Sequence, residues 1–220
     1  MAATADKAAD AVTHDAETWM KDTAALLDSI SRAPRPGIAL FLGRWLRNPL
    51  RMGSVVPSSP ALCRRIARHT LWQPDEIVVE LGAGTGVVSR ALLEAGLPPE
   101  KLVVVEIEPD MASHLRDTLP GVTVLTGDAF ALPDILPRAL HGKVGTAICG
   151  IPLVLLPRPQ QQRFVDAVEA VAPGKGFLLY TYCATSPLPY ARLGLRAKRE
   201  AWTPLNVPPA SVWRYVPSGR

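Results

Sequence analysis

A chain of 220 residues, 48% of them apolar, suits one domain with room for an N-terminal extension. Its net charge of +4 is modest, and its three cysteines, Cys63, Cys149 and Cys183, are too few and too scattered for a disulfide framework or a zinc knuckle. His14, His69, His114 and His141 are equally dispersed, so no metal site is expected.

The alanine-rich, polar start is unlike a secretion signal, and no apolar run reaches the ~18 residues that a bilayer-spanning helix needs. Residues 13–31 read as a helix: Ala16, Trp19, Met20, Thr23, Leu26, Leu27 and Ile30 form one stripe, and Pro34 stops it. A second helix begins at Pro36, with Ile38, Phe41, Leu42, Trp45 and Leu46 at amphipathic spacing and Asn48-Pro49 at its end. A third covers residues 60–69.

Alternating strands and helices follow: strand 76–80, helix 87–95, strand 102–106, helix 111–119, strand 122–125, strand 144–149, helix 160–171 and strand 177–182. Two strands, 195–202 and 211–216, close the chain with no long helix between them. The alternation predicts an α/β fold, a doubly wound and mostly parallel sheet with an antiparallel closing strand.

The first strand runs through Glu80 into Gly82-Ala83-Gly84-Thr85-Gly86, and a helical pattern starts at Val87. Glycines permit positive φ and let a ligand lie on the backbone, while the helix start offers free N–H groups. The spacing is G-x-G-x-G, one residue short of the G-x-G-x-x-G of dinucleotide sites. No hydride-transfer histidine or lysine follows, which speaks against a nicotinamide dehydrogenase. With Glu80 two residues ahead, the turn resembles the first motif of S-adenosylmethionine-dependent methyltransferases; a plain structural turn is the other reading.

In a doubly wound sheet, ligands bind at the carboxyl ends of the strands, and the unusual residues gather there. Glu106, with Ile107 after it, ends the second strand, and its carboxylate suits two ribose hydroxyls; a helix-entry acid is the plainer reading. Gly127-Asp128-Ala129 follow the third strand. Asp128 suits an adenine amino group and the Ala129 N–H the ring, and a helix N-cap is the alternative. Glu80 is placed to orient the methionine end of the cofactor.

From Ser29 to Pro74 there is no acidic residue, but there are Arg32, Arg35, Arg44, Arg47, Arg51, Arg64, Arg65 and Arg68. Such a block attracts a polyanion, either nucleic acid or anionic lipid. The stripe Phe41, Leu42 and Trp45 flanked by arginines favours lipid, as in an interfacial helix. The plain alternative is a helix packed on the domain with its arginines solvated.

Several segments narrow the reading: residues 48–59 (with Ser54 and Ser58), 80–86, Gly150-Ile151-Pro152-Leu153, Thr181-Tyr182, and 205–209 (with Asn206) followed by Val212-Trp213. Together, from about residue 41 to 215, they resemble the bacterial phospholipid N-methyltransferases, relatives in fold of rRNA adenine dimethyltransferases. The adenine enzymes carry Asn/Asp-Pro-Pro-Tyr where this chain has Gly150-Ile151-Pro152-Leu153, which leaves no amide and no stacking tyrosine for a base.

The resemblance implies a Rossmann-like class I methyltransferase domain over residues 53–220 behind a helical, membrane-contacting extension over residues 1–52. It implies S-adenosylmethionine as cofactor, S-adenosylhomocysteine as product, and stepwise conversion of phosphatidylethanolamine to phosphatidylcholine. An RNA adenine methyltransferase is the alternative. The expected cofactor contacts are Ser54, Ser58, Glu80, Gly82, Ala83, Gly84, Gly86, Glu106, Ile107, Gly127, Asp128, Ala129, Gly150 and Ile151. Tyr180 and Tyr182, two apart on one strand face, are the expected catalytic pair, offering hydroxyl acceptors and a ring face to the methylated cation. Phe41, Arg44, Trp45, Arg47, Arg51, Pro152, Leu153 and Asn206 are expected to meet lipid. The expected protein is a cytoplasmic monomer that binds the inner membrane face reversibly, without a nucleic-acid or obligate protein partner.

Overall fold

The computed structural model describes residues 58–182, 186, 188–204, 206 and 209–219. The two helices expected before residue 48, the boundary at residue 52, and Phe41, Arg44, Trp45, Arg47, Arg51 and Ser54 lie outside the described residues.

Seven strands form one sheet in the order β3-β2-β1-β4-β5-β7-β6. β1 (Ile77–Leu81) and β2 (Leu102–Glu106) are buried at every position. That is the mark of strands covered on both faces, and it explains their continuous Val/Ile/Leu runs. β3 (Thr123–Thr126) is an edge strand and correspondingly more exposed. β4 (Val144–Cys149) and β5 (Phe177–Thr181) continue the parallel array on the other side of β1.

The chain leaves β1 towards β2 and β3, then returns to place β4 on β1's opposite flank. The reversal between β1 and β4 is the switch point of the sheet. Register aligns the strand ends there: Leu81 pairs with Val105 and with Cys149, and Glu106 with Thr126.

The expected antiparallel closing strand is β7 (Ala210–Pro217). It inserts between β5 and β6 (Leu195–Thr203), antiparallel to both, so β6 ends the sheet. A bulge at Arg199/Ala201 shifts the β6–β7 register.

Helix α1 (Pro60–His69) starts with the Ser59 side chain accepting from the Leu62 N–H, and Arg68 and His69 sit favourably at its negative end. It buries Leu62, Cys63, Ile66 and Ala67. α2 (Val87–Glu94) follows the glycine turn directly. α3 (Pro109–Thr118) begins two residues before the periodicity suggests, because Pro109 fits the first helical turn. α4 is the single turn Leu132–Ile135, and α5 (Arg158–Val171) packs Phe164, Val168 and Val171 onto the sheet. The rings of Phe130, Phe164, Phe177 and Tyr215 form a line with centroids 5.9, 5.3 and 5.3 Å apart, joining the loop after β3 to β7.

Candidate active site

The turn from β1 to α2 is left-handed at each glycine: φ is 78° at Gly82, 54° at Gly84 and 75° at Gly86. The space around them differs. A Cβ on Gly82 would meet Ile151 at 3.0 Å, and one on Gly86 would meet Leu115 at 2.7 Å. Beside Gly84 nothing lies within 4 Å. Two glycines are therefore packed against the protein, while a side chain on the middle one would enter open space.

Glu106 holds this turn. It is fully buried at the end of β2; one carboxylate oxygen accepts the Gly84 N–H at 2.9 Å and the other the Glu108 N–H at 3.1 Å. Burial pushes its pKa up, while backbone N–H groups of Glu108, Gly84 and Ile107 pull the other way. A carboxylate has about four acceptor positions, so these contacts leave it room for a further donor.

Glu80, one strand over, is also fully buried. The Ser89 hydroxyl of α2 donates to its Oε2 at 2.5 Å, and its Oε1 has no partner among the described residues. Burial raises its pKa to about 7; Ser89 opposes the rise and the charge of Glu106 adds to it. An orphaned buried carboxylate oxygen is costly, and this one asks for a water, a proton or a cation.

The loop after β4 completes the cleft. The Gly150 N–H donates to the Leu81 carbonyl at 2.8 Å. A Cβ on Gly150 would stand 2.3 Å from the Gly82 carbonyl oxygen and 2.8 Å from the Tyr180 hydroxyl, so only glycine lets β4, the turn and Tyr180 converge. The loop is held from below by the buried Gln161, whose amide donates to the Leu153 and Leu156 carbonyls at 3.0 Å each.

Tyr180 and Tyr182 pack against the α1 side of the core. Burial and the neighbouring Glu80 charge raise the Tyr180 pKa well above the ordinary phenol value, so the group stays a neutral hydroxyl. Tyr182 is raised as well, chiefly by burial, and shares a hydrogen bond with the Ser58 side chain. Cys63, its thiol raised to about 11 by burial and by Glu80, lies in the same cluster and accordingly is not a reactive thiolate.

The remaining expected residues fall in three groups. Ala83 lies in the glycine turn, and Ile107, Gly127 with Ala129, and Ile151 follow the carboxyl ends of β2, β3 and β4. Asp128 is exposed, and its Oδ1 caps the turn at 129–131 by accepting the Phe130 N–H at 3.0 Å. Pro152 is half-buried at the cleft.

Leu153 and Asn206, expected to meet lipid, are not at a surface. Leu153 is completely buried, because the loop after β4 turns its side chain into the core. Asn206 is 1% exposed, and its side-chain oxygen accepts the Ser59 N–H at 3.2 Å at the start of α1. Ser89 and Gln161 were missed. Ser89 was readable, as a serine within the apolar stripe Val88, Ala91 and Leu92; Gln161 gave no such signal.

Residues 78–176, which run from the second residue of β1 past β4 and include every acid above, match the family described as Methyltransferase domain. The fold is that of the class I S-adenosylmethionine-dependent methyltransferases. Its cleft suits that cofactor: there is an open approach at Gly84, an acid at the end of β2 and an unpartnered buried carboxylate oxygen beneath the turn.

Among relatives, an ornithine lipid N-methyltransferase of Singulisphaera acidiphila is 29% identical over 180 residues, covering 79% of this chain and 93% of its own. A ribosomal RNA small subunit methyltransferase A of Streptomyces griseus is 41% identical, but over 39% of this chain and 29% of its own. Among solved structures, one described as converting a disulfide bond into a thioacetal group during echinomycin biosynthesis covers 81% of this chain and 91% of its own. Its TM-score is 0.56 at 15% identity, a likeness of fold. Among the described residues no helix is long and apolar enough to cross a membrane.

Proposed function

We propose that this methyltransferase transfers methyl groups to the primary amine of a membrane lipid, converting phosphatidylethanolamine stepwise to its mono-, di- and trimethylated forms. The observation that carries the reading is the extent of the lipid-enzyme likeness. It spans nearly the whole of the ornithine lipid N-methyltransferase, whereas the rRNA enzyme matches less than a third of its own length. The loop Gly150-Ile151-Pro152-Leu153 supports it, since it offers no side-chain amide to grip an adenine.

The cofactor supplies an electrophilic sulfonium methyl, and the protein supplies position and a dry cleft. Glu106 is suited to accept the ribose hydroxyls, Glu80 Oε1 to accept from the methionine ammonium or its water, and Asp128 with the Ala129 N–H to meet the adenine. Gly84 gives the backbone approach. Ser58 and Ser54 belong to the same expected contact set.

The amine must arrive without its proton. Burial beside Tyr180 and Tyr182 favours the neutral amine, and their hydroxyls, themselves neutral, can accept its hydrogen bonds. Their ring faces suit the methylated cation that forms. Phe41, Trp45, Arg44, Arg47 and Arg51 are the proposed membrane and phosphate contacts, from an enzyme that visits the inner face of the cytoplasmic membrane as a monomer.

The name of the Singulisphaera relative favours a second headgroup, the amine of an ornithine lipid. The test incubates the full chain with labelled methyl donor and offers phosphatidylethanolamine vesicles, ornithine lipid vesicles or total RNA. Label in methylated phosphatidylethanolamine is expected. Label only in ornithine lipid would replace the headgroup, and label only in RNA would overturn the lipid reading.

A further inference from the structure

We propose that the carboxyl half of the edge strand β6, centred on Trp202 with Arg199 and Lys198, is a docking surface for an anionic bilayer. The inference rests on the lipid reading above and adds a surface on the catalytic domain itself.

Trp202 is 52% exposed, whereas Trp72 and Trp213 are half-buried. It pairs with Ser211, which in turn pairs with Thr181 at the carboxyl end of β5. Trp202 therefore stands at the end of the sheet that carries the glycine turn, four strand spacings from β1, or about 19 Å. Trp202 and the cleft thus share one end of the sheet.

The pairing register, bulge included, puts Arg199 on the same face as Trp202, with its guanidinium 5.8 Å over the Trp213 ring. Lys198 stands on the opposite face of the free edge, its side chain 76% exposed. Arg196 is exposed nearby. The one acid on the strand, Glu200, is shared between Lys198 at 2.9 Å and Arg214 at 3.0 Å, so the edge carries net positive charge.

Cations on an edge strand are one means of blocking strand-to-strand aggregation, which explains Arg196 and Lys198. It does not explain a solvent-facing indole at the active-site end. Indoles settle at the headgroup level of membranes, and arginine and lysine stems lie along apolar material with their heads in the polar layer. That combination fits an anionic lipid surface better than RNA, because Arg199 lies over one face of Trp213, the second ring, where a base would stack.

The test uses the full chain and phosphatidylcholine vesicles with and without phosphatidylglycerol, some carrying brominated acyl chains. Brominated vesicles should quench part of the tryptophan emission, and that part should be smaller in Trp202→Phe than in wild type, the remainder coming from Trp45. Arg199→Gln should lower partition onto phosphatidylglycerol vesicles about fivefold and onto neutral vesicles little. Trp202→Ser should lower both. Thermal melts confirm that each variant is folded.

Equal quenching in wild type and Trp202→Phe overturns the proposal, as does unchanged partition of both other variants. Weakened RNA binding with unchanged vesicle partition also overturns it, in favour of a nucleic-acid surface. Methyl transfer to a monomeric short-chain phosphatidylethanolamine needs no membrane and reports on the lipid reading alone. If it proceeds while the variants partition normally, the docking surface is wrong and the lipid reading stands. If no lipid is methylated although Trp202 quenching is seen, the substrate is wrong and the surface stands.

Discussion

The Ser89 hydroxyl donates to Glu80 Oε2 at 2.5 Å beneath the glycine turn, and Glu80 Oε1 has no partner among the described residues. One half of a fully buried carboxylate is thus fixed by the protein, and the other half is unpaired among the described residues. The cost shows in its acidity: burial lifts the pKa from 4.5 to about 7.

That lift makes stability depend on pH in a definite direction. The folded pKa lies above the unfolded one, so between about pH 4.5 and 7 the native state holds the proton that the unfolded chain releases. Stability from this group falls across that window, and the whole penalty is present above it. The displacement corresponds to of order 3 kcal/mol. Glu80→Gln, which keeps an acceptor for Ser89, is expected to raise the melting temperature of the free protein at pH 8 and to do little near pH 4.5. The same variant should bind S-adenosylhomocysteine at least about tenfold more weakly in calorimetry, since a charge-assisted contact is lost. A Glu80→Gln melt that gains as much at pH 4.5 as at pH 8 would refute the account.

Gly84 and Gly150 separate ligand space from packing space. A methyl on Gly84 enters open space, although φ of 54° adds strain of about 1 kcal/mol. Gly84→Ala is expected to lower the melting temperature slightly and to weaken S-adenosylhomocysteine binding by an order of magnitude or more. A methyl on Gly150 would meet the Gly82 carbonyl oxygen at 2.3 Å, a backbone atom that cannot swing away. Gly150→Ala should destabilise the fold by about 2 kcal/mol or more before any ligand is added. Melting curves with and without S-adenosylhomocysteine distinguish the two.

The contrast shows what the sequence made legible. Strand type and the parallel sheet were readable because β1 and β2 are apolar apart from Glu80 and Glu106 and alternate with helices; the strand order is seen only in the fold. The acids at the strand ends stood out as charged residues closing apolar runs. The place of β7 did not, since an alternating strand looks the same at an edge as between two partners. Leu153 and Asn206 were misassigned for a related reason. A leucine and an asparagine in loops give no periodicity, and only the folded loops show that one fills the core and the other ties the loop after β6 to α1.

Glu106, proposed to accept the ribose hydroxyls, already fixes the Gly84 and Glu108 N–H groups. Glu106→Gln keeps one good acceptor and loses the charge. It should weaken S-adenosylhomocysteine binding about tenfold or more, with a modest fall in melting temperature. Glu106→Ala also strands the Gly84 N–H and should cost about 1–3 kcal/mol of stability in addition. If Glu106→Ala bound the nucleoside like wild type, its place in the cleft would be structural only.

Tyr180 and Tyr182 allow the proton question to be put to experiment. Burial, and for Tyr180 the Glu80 charge, hold both phenols above their ordinary acidity. Neither is an anionic base at neutral pH, so a rising limb in the profile of kcat/KM against pH should come from the amine substrate or Glu80. Tyr180→Phe should leave the position of that limb unchanged and lower its height, because a hydrogen-bond acceptor is lost and no titrating group is removed. Tyr182→Phe also gives up the bond to Ser58, so KM should rise more than kcat falls. A limb that disappears in either variant would assign the proton to that tyrosine. Full turnover in both would confine the pair to packing against α1.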